Sequence, residues 1–161
     1  MTRNLMIKNI LIIIVIFVIS LSITNGSDAY KVLETSLPSI LGTIIGGLTA
    51  GISIIFSVLL STFSSPLCKL TIDDFSPFLI SLKKDLFILI GCLVFSLFIP
   101  YFRISGIPLL QYPEHALMPI RDSFYTASEI TLLVISISVI IEVFDIMFTL
   151  FNYFVSNLKK H

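Results

Sequence analysis

Charge is what this sequence has least of. Asp, Glu, Lys and Arg make up 12% of its 161 residues, against about 25% in ordinary soluble domains. Mean hydropathy is +1.04, which argues against a water-soluble fold. The net charge is zero, so no basic or acidic excess points to nucleic acid or to an acidic substrate. Cysteine is scarce: Cys68 in "SPLCKL" and Cys92 in "LIGCLVF". With Cys92 inside an apolar run, a disulfide framework is not expected, only two isolated thiols. Histidine is as rare, at His115 and His161. Glu114 and His115 are adjacent in "PEHALMP", which is not a metal-ligand spacing. No nucleophile elbow, phosphate loop or Ser/His/Asp set can be identified. The expectation is a protein that is not an enzyme and holds no cofactor or metal.

Long apolar runs are what is there. A helix needs about 20 mainly apolar residues to cross a bilayer core, and four segments qualify, at about 9–27, 37–63, 77–102 and 129–155. They are continuously apolar, whereas barrel strands alternate, so the expected fold is an all-α membrane protein of four transmembrane helices in a single domain. The first run, "NILIIIVIFVISLSITNGS", could be read as a signal peptide. Its long apolar core and poor cleavage site favour a retained span.

Lys and Arg set the orientation. With the N-terminus inside, Arg3, Lys8, Lys69, Lys83, Lys84, Lys159 and Lys160 are cytoplasmic, and Lys31, Arg103 and Arg121 are outside. Both termini are therefore expected in the cytoplasm. Outside loops would cover 28–36 and 103–128, and a cytoplasmic linker 64–76. Ser36 with Pro38, and Ser76 with Pro77, resemble helix starts. Lys83 and Lys84 are placed to snorkel to the cytoplasmic interface. "TASE" at Thr126–Glu129 has capping-box spacing and marks the expected start of the last helix.

Two helices carry more than hydropathy. In "LGTIIGGLTAGIS", Gly42 with Gly46 and Gly47 with Gly51 form two GxxxG pairs, which let backbones approach closely where lipid supplies no hydrophobic drive. The packing partner is either a helix of the same chain or one of a second copy. In the last helix, alternating steps of four and three residues pick out Thr131, Ile135, Ser138, Glu142, Asp145, Thr149, Asn152 and Ser156. All but Ile135 are polar, so one narrow stripe faces something other than lipid. Taking the span as about 130–154, Glu142 lies at its centre, with no Lys, Arg or His at that depth. A central charge costs about 3 kcal/mol or more. The stripe therefore faces another helix of the bundle, a partner subunit, or a wet path for protons or cations.

The second helix, "LPSILGTIIGGLTAGISIIFSVL" (Leu37–Leu59), resembles the equivalent helix of RexB-type four-span membrane proteins, which act in phage exclusion and phage defence. The likeness extends to size, span number and the cytoplasmic linker. It implies an oligomeric inner-membrane ion path that depolarises the cell when triggered. No functional residue carries over, and Glu142 and Asp145 are not part of it. The leading expectation is thus a homo-oligomeric, ion-conducting effector in the cell inner membrane. Thr131, Ser138, Glu142, Asp145, Thr149 and Asn152 would form its polar seam, and Gly42, Gly46, Gly47 and Gly51 its packing face. Its partners are the lipid bilayer, further copies of itself and a cytoplasmic sensor or partner protein meeting Asp73, Asp74, Lys83 and Lys84, with no direct contact to nucleic acid. The alternatives are a non-conducting accessory or scaffold subunit and, ranked last, a small proton-coupled transporter.

Overall fold

Where side chains are continuously apolar, the backbone must satisfy its own hydrogen bonds, and a helix does this within one segment. The computed structural model describes residues 2–24, 30–63, 76–107, 112 and 118–158. Among these are four helices and no strand: α1 (Thr2–Ile23), α2 (Tyr30–Phe63), α3 (Ser76–Ser105) and α4 (Arg121–Leu158). Three stretches, Tyr30–Ser57, Ser76–Ser105 and Arg121–Tyr153, are long and apolar enough to cross a membrane; the apolar part of α1, Ile7–Ile23, is shorter. The expected linker 64–76 lies almost wholly outside the described residues, as do Cys68, Asp73, Asp74, Glu114, His115 and His161. Cys92 is a free, buried thiol.

Two helices begin earlier than their turn signals suggest. Pro38 sits inside α2 rather than in its first turn. The segment before it stays helical because Tyr30 and Glu34 are both held by Arg103, a tertiary contact that overrides local preference. Likewise α4 starts at Arg121, and "TASE" is not a capping box. The Thr126 hydroxyl donates back to the Asp122 carbonyl at 2.8 Å, and Glu129 turns to Arg103 instead. Ser76 and Pro77 do open α3, as expected. That helix ends at Gly106, whose φ of 72° is the left-handed closure that glycine accepts. Its N–H bonds the Phe102 carbonyl at 2.9 Å, and Arg121 donates to the same oxygen at 2.9 Å.

The packing centres on α4, which touches all three other helices, while α1 touches α4 alone. Leu48 and Ile52 of α2, Leu82 and Leu89 of α3, and Val139 and Val143 of α4 form the main core. Leu37, Leu41 and Cys92 form a second cluster nearer the α3 C-terminus. α1 is built inside out: Ser20 and Thr24 are buried, whereas Ile7 and Ile10 through Val15 are exposed. Its contacts with α4 are small. Phe17 meets Phe124 edge-on at 5.5 Å, the Thr131 hydroxyl reaches Ser20 at 3.5 Å, and Ser123 donates to the Thr24 carbonyl at 3.4 Å. This is how helices associate where apolar surface costs nothing to leave in lipid.

Candidate functional site

The charged side chains of the described bundle gather at two levels. The first lies where α3 ends. Arg103 has a side chain only 7% exposed; its Nε is 2.6 Å from Glu34 on α2, and one terminal nitrogen is 3.5 Å from Glu129 on α4. Both terminal nitrogens also reach the Thr126 hydroxyl at 3.4 Å. The guanidinium lies over the Tyr30 ring, 4.1 Å from its centroid, a favourable cation–π placement. Glu129 is 1% exposed. One guanidinium thus draws α2, α3 and α4 together. It leaves one carboxylate charge in excess, and neither Glu129 oxygen makes a hydrogen bond of good geometry. Around it stand Tyr101 against Phe102, Tyr112 against Phe124, and Tyr125 near Arg121. Tyr112 lies outside the helices, and burial, with Tyr125 beside it, pushes its phenol up from its ordinary range.

The second level lies eighteen residues back along α3, at Asp85. Its side chain is 0% exposed, and neither carboxylate oxygen has a hydrogen-bond partner. Its face of α3 turns towards α2 and α4, and among the described residues α1 makes no contact with α3. Leu82 and Leu89, about one turn to either side on the same face, belong to the main core. Lys84 and Glu142 are the charges within electrostatic reach.

That proximity revises the depth assigned to Glu142. Placing Lys83 and Lys84 at an interface and Glu142 at a span's centre is not consistent, because Glu142 lies on the level of Asp85. The stripe itself is present but splits in two. Thr131 is buried, bonding the Ala127 carbonyl and Ser20, and Ile135 packs on the core. Ser138, Glu142, Asp145, Thr149, Asn152 and Ser156 are exposed on the outer surface of the chain. The face of α4 that does enter the core runs through Ser136, Val139, Val143 and Leu150. The bulk of the stripe therefore has no helix of its own chain to face.

The glycines of α2 divide similarly. A methyl group added at Gly42, Gly46 or Gly47 would meet nothing within 4 Å, whereas at Gly51 it would lie 3.9 Å from the end of Met147. Packing within one chain thus uses Gly51 only; α2 enters the core through Leu37, Leu41, Leu48 and Ile52. The small-residue face, with Ser39, Thr43, Ala50, Ser53 and Ser57, is exposed. The hydroxyls of Thr43, Ser53 and Ser57 each bond the carbonyl four residues back, so this face presents few free donors.

Three residues that matter here escaped sequence reasoning. Asp85 sits beside Lys83 and Lys84 and looks like part of a solvated boundary. Glu129 and Arg103 lie on different helices, twenty-six residues apart, at no spacing that a single-helix pattern would catch. Among the described residues no group of three or more His, Cys, Asp or Glu could hold a metal ion. The chain matches no family model, no curated protein and no solved structure.

Proposed function

We propose that the chain is a four-span inner-membrane protein, with both termini cytoplasmic, that assembles with copies of itself into a cation or proton path. Its α4 stripe would lie between subunits. The observation that carries this reading is the outward position of Ser138, Glu142, Asp145, Thr149 and Asn152. Two carboxylates on the outer face of α4 carry a cost against lipid even near the hydrocarbon boundary, though a smaller one than at its centre. A second copy or a water-filled gap between copies relieves that cost. The exposed small-residue face of α2 offers a surface on which backbones of neighbouring copies can approach.

The two charged levels suggest where the bilayer sits. Asp85 and Arg103 are separated by about 27 Å of helix at 1.5 Å per residue, close to the roughly 30 Å of a hydrocarbon core. Tyr30, Tyr101, Tyr112 and Tyr125 at the Arg103 end fit an interfacial aromatic belt, and Lys83 and Lys84 suit the opposite interface. Glu142 and Asp145 then form an acidic rim at the cytoplasmic mouth, where rings of carboxylates favour cations. In the phage-defence setting that the resemblance implies, opening such a path would depolarise the inner membrane.

The test is a potential-sensitive dye in cells expressing the wild type or the double variant Glu142→Gln with Asp145→Asn. Wild type is expected to depolarise the membrane and the double variant to leave it polarised. Equal depolarisation by both sinks the role given to the acids. Absence of conductance from purified protein in liposomes would favour the accessory-subunit reading, in which the same stripe docks a different membrane protein.

A further inference from the structure

The geometry points to Asp85 as a proton-binding site inside the bundle, separate from the outer stripe and exchanging its proton through Glu142. Both of its oxygens are buried and unpartnered, and such a group calls for a ligand. What it can bind follows from its surroundings. A hard cation needs several oxygens, but Asp85 shares its face of α3 with Leu82 and Leu89, packed with Val139, Val143, Leu48 and Ile52. The helix carbonyls around it are engaged in their own ladders. A proton needs one oxygen and one only.

Among the described residues, the charged groups around Asp85 are few. Glu142 on α4 and Lys84 on α3, both exposed, lie within electrostatic reach of it. α2 has no titratable residue between Glu34 and Phe63, and α1 does not touch α3. Asp85 lines neither the apolar cavity of about 20 Å³ between α2, α3 and α4 nor the larger groove along α2 and α3. The exchange route with the fewest buried steps therefore passes between α3 and α4 to Glu142. The proton moves as H⁺ from one carboxyl oxygen to the other carboxylate, with no other bond made or broken.

This site deepens the proposed path and rests on it only for the exchange route through Glu142; proton binding at Asp85 does not need the outer acids to line a path. The experiment uses the full chain reconstituted in phospholipid vesicles. Infrared spectra at neutral pH are expected to show a carboxylic-acid carbonyl band that is lost in D85N and kept in E142Q. Proton flux driven by a pH gradient is expected to fall to that of empty vesicles in D85N. An acid band unchanged by D85N overturns the site, and so does wild-type flux in D85N. Asn is nearly isosteric with Asp, so folding should survive. Should it not, Asp85→Glu keeps a proton-binding group, and its acid band must shift in frequency; an unshifted band overturns the proposal. Full flux in D85N with none in the Glu142/Asp145 double variant sinks this inference alone. The converse result sinks the role of the outer acids and with it the exchange through Glu142, and leaves Asp85 as the proton-binding site.

Discussion

The two ends of the bundle hold similar acids in opposite circumstances. At the Arg103 end, Glu34 and Glu129 come from different helices and meet one guanidinium, with a tyrosine ring beneath it and a threonine hydroxyl beside it. At the other end, Asp85 is just as buried and meets no partner, and Glu142 points outward. Burial is therefore not what distinguishes them. The difference is whether a cation of the same chain pairs with the acid directly, as Arg103 does and as Lys84, though within electrostatic reach of Asp85, does not. Where it does, the acids join three helices; where it does not, the acid has no ion-pair partner.

The sharpest way to break this contrast is to remove the cation. Arg103→Ala leaves Glu34 and Glu129 facing each other without compensation. Breaking a buried pair in this way costs about 3–5 kcal/mol. Thermal unfolding in detergent should show the loss, and much of it should return when Glu34→Gln and Glu129→Gln are added. If Arg103→Ala unfolds like wild type, the Arg103 end is not the clamp described here. Asp85→Asn is expected to leave stability nearly unchanged or improved, since it removes an unpaired acid and no partner.

Between the two ends the bundle relies on packing. Leu89 is 0% exposed, about one turn from Asp85. In lipid, the transfer part of a Leu→Ala cost is small because the tails are as apolar as the core. The cavity part remains, so Leu89→Ala should lose about 2 kcal/mol. The loss should leave the Arg103 pairs intact, which accessibility of cysteines placed near Glu34 would report. A loss as large as that of Arg103→Ala would mean that the core, rather than the ion cluster, holds α3 in place.

These two ends were unequally legible in the sequence. Continuous apolar runs gave the helices, because hydropathy over twenty residues leaves few alternatives, and Ser76–Pro77 marked the true start of α3. The steps of four and three residues found the stripe on α4, since periodicity on one helix is local information. They did not tell which way the stripe faces. That depends on which side of α4 the other helices occupy, and Ser136, Val139 and Val143 took the core face instead. The glycine face of α2 was ambiguous for the same reason. Glu129 was misread as a cap because its partner, Arg103, comes from another helix. Asp85 was passed over because two lysines precede it, although its own position falls on the core face with Leu82 and Leu89. Stepping by threes and fours from Leu82 would have reached it.

The smallest effect concerns α1, whose only neighbour among the described residues is α4. Its apolar residues mostly face outward and its hydroxyls inward, so hydrogen bonds and close packing must hold it. Interhelical hydrogen bonds of this kind contribute about 0.6 kcal/mol on average. The Thr131–Ser20 contact is long, at 3.5 Å, and Thr131 already bonds the Ala127 carbonyl at 2.7 Å. A double-mutant cycle of Ser20→Ala and Thr131→Val should therefore give a coupling of about 0.6 kcal/mol or less. Coupling several times larger would make α1 a clamped member of the bundle, like α2 and α3. A small value leaves α1 the most weakly held helix of the bundle, while the Arg103 cluster joins the other three.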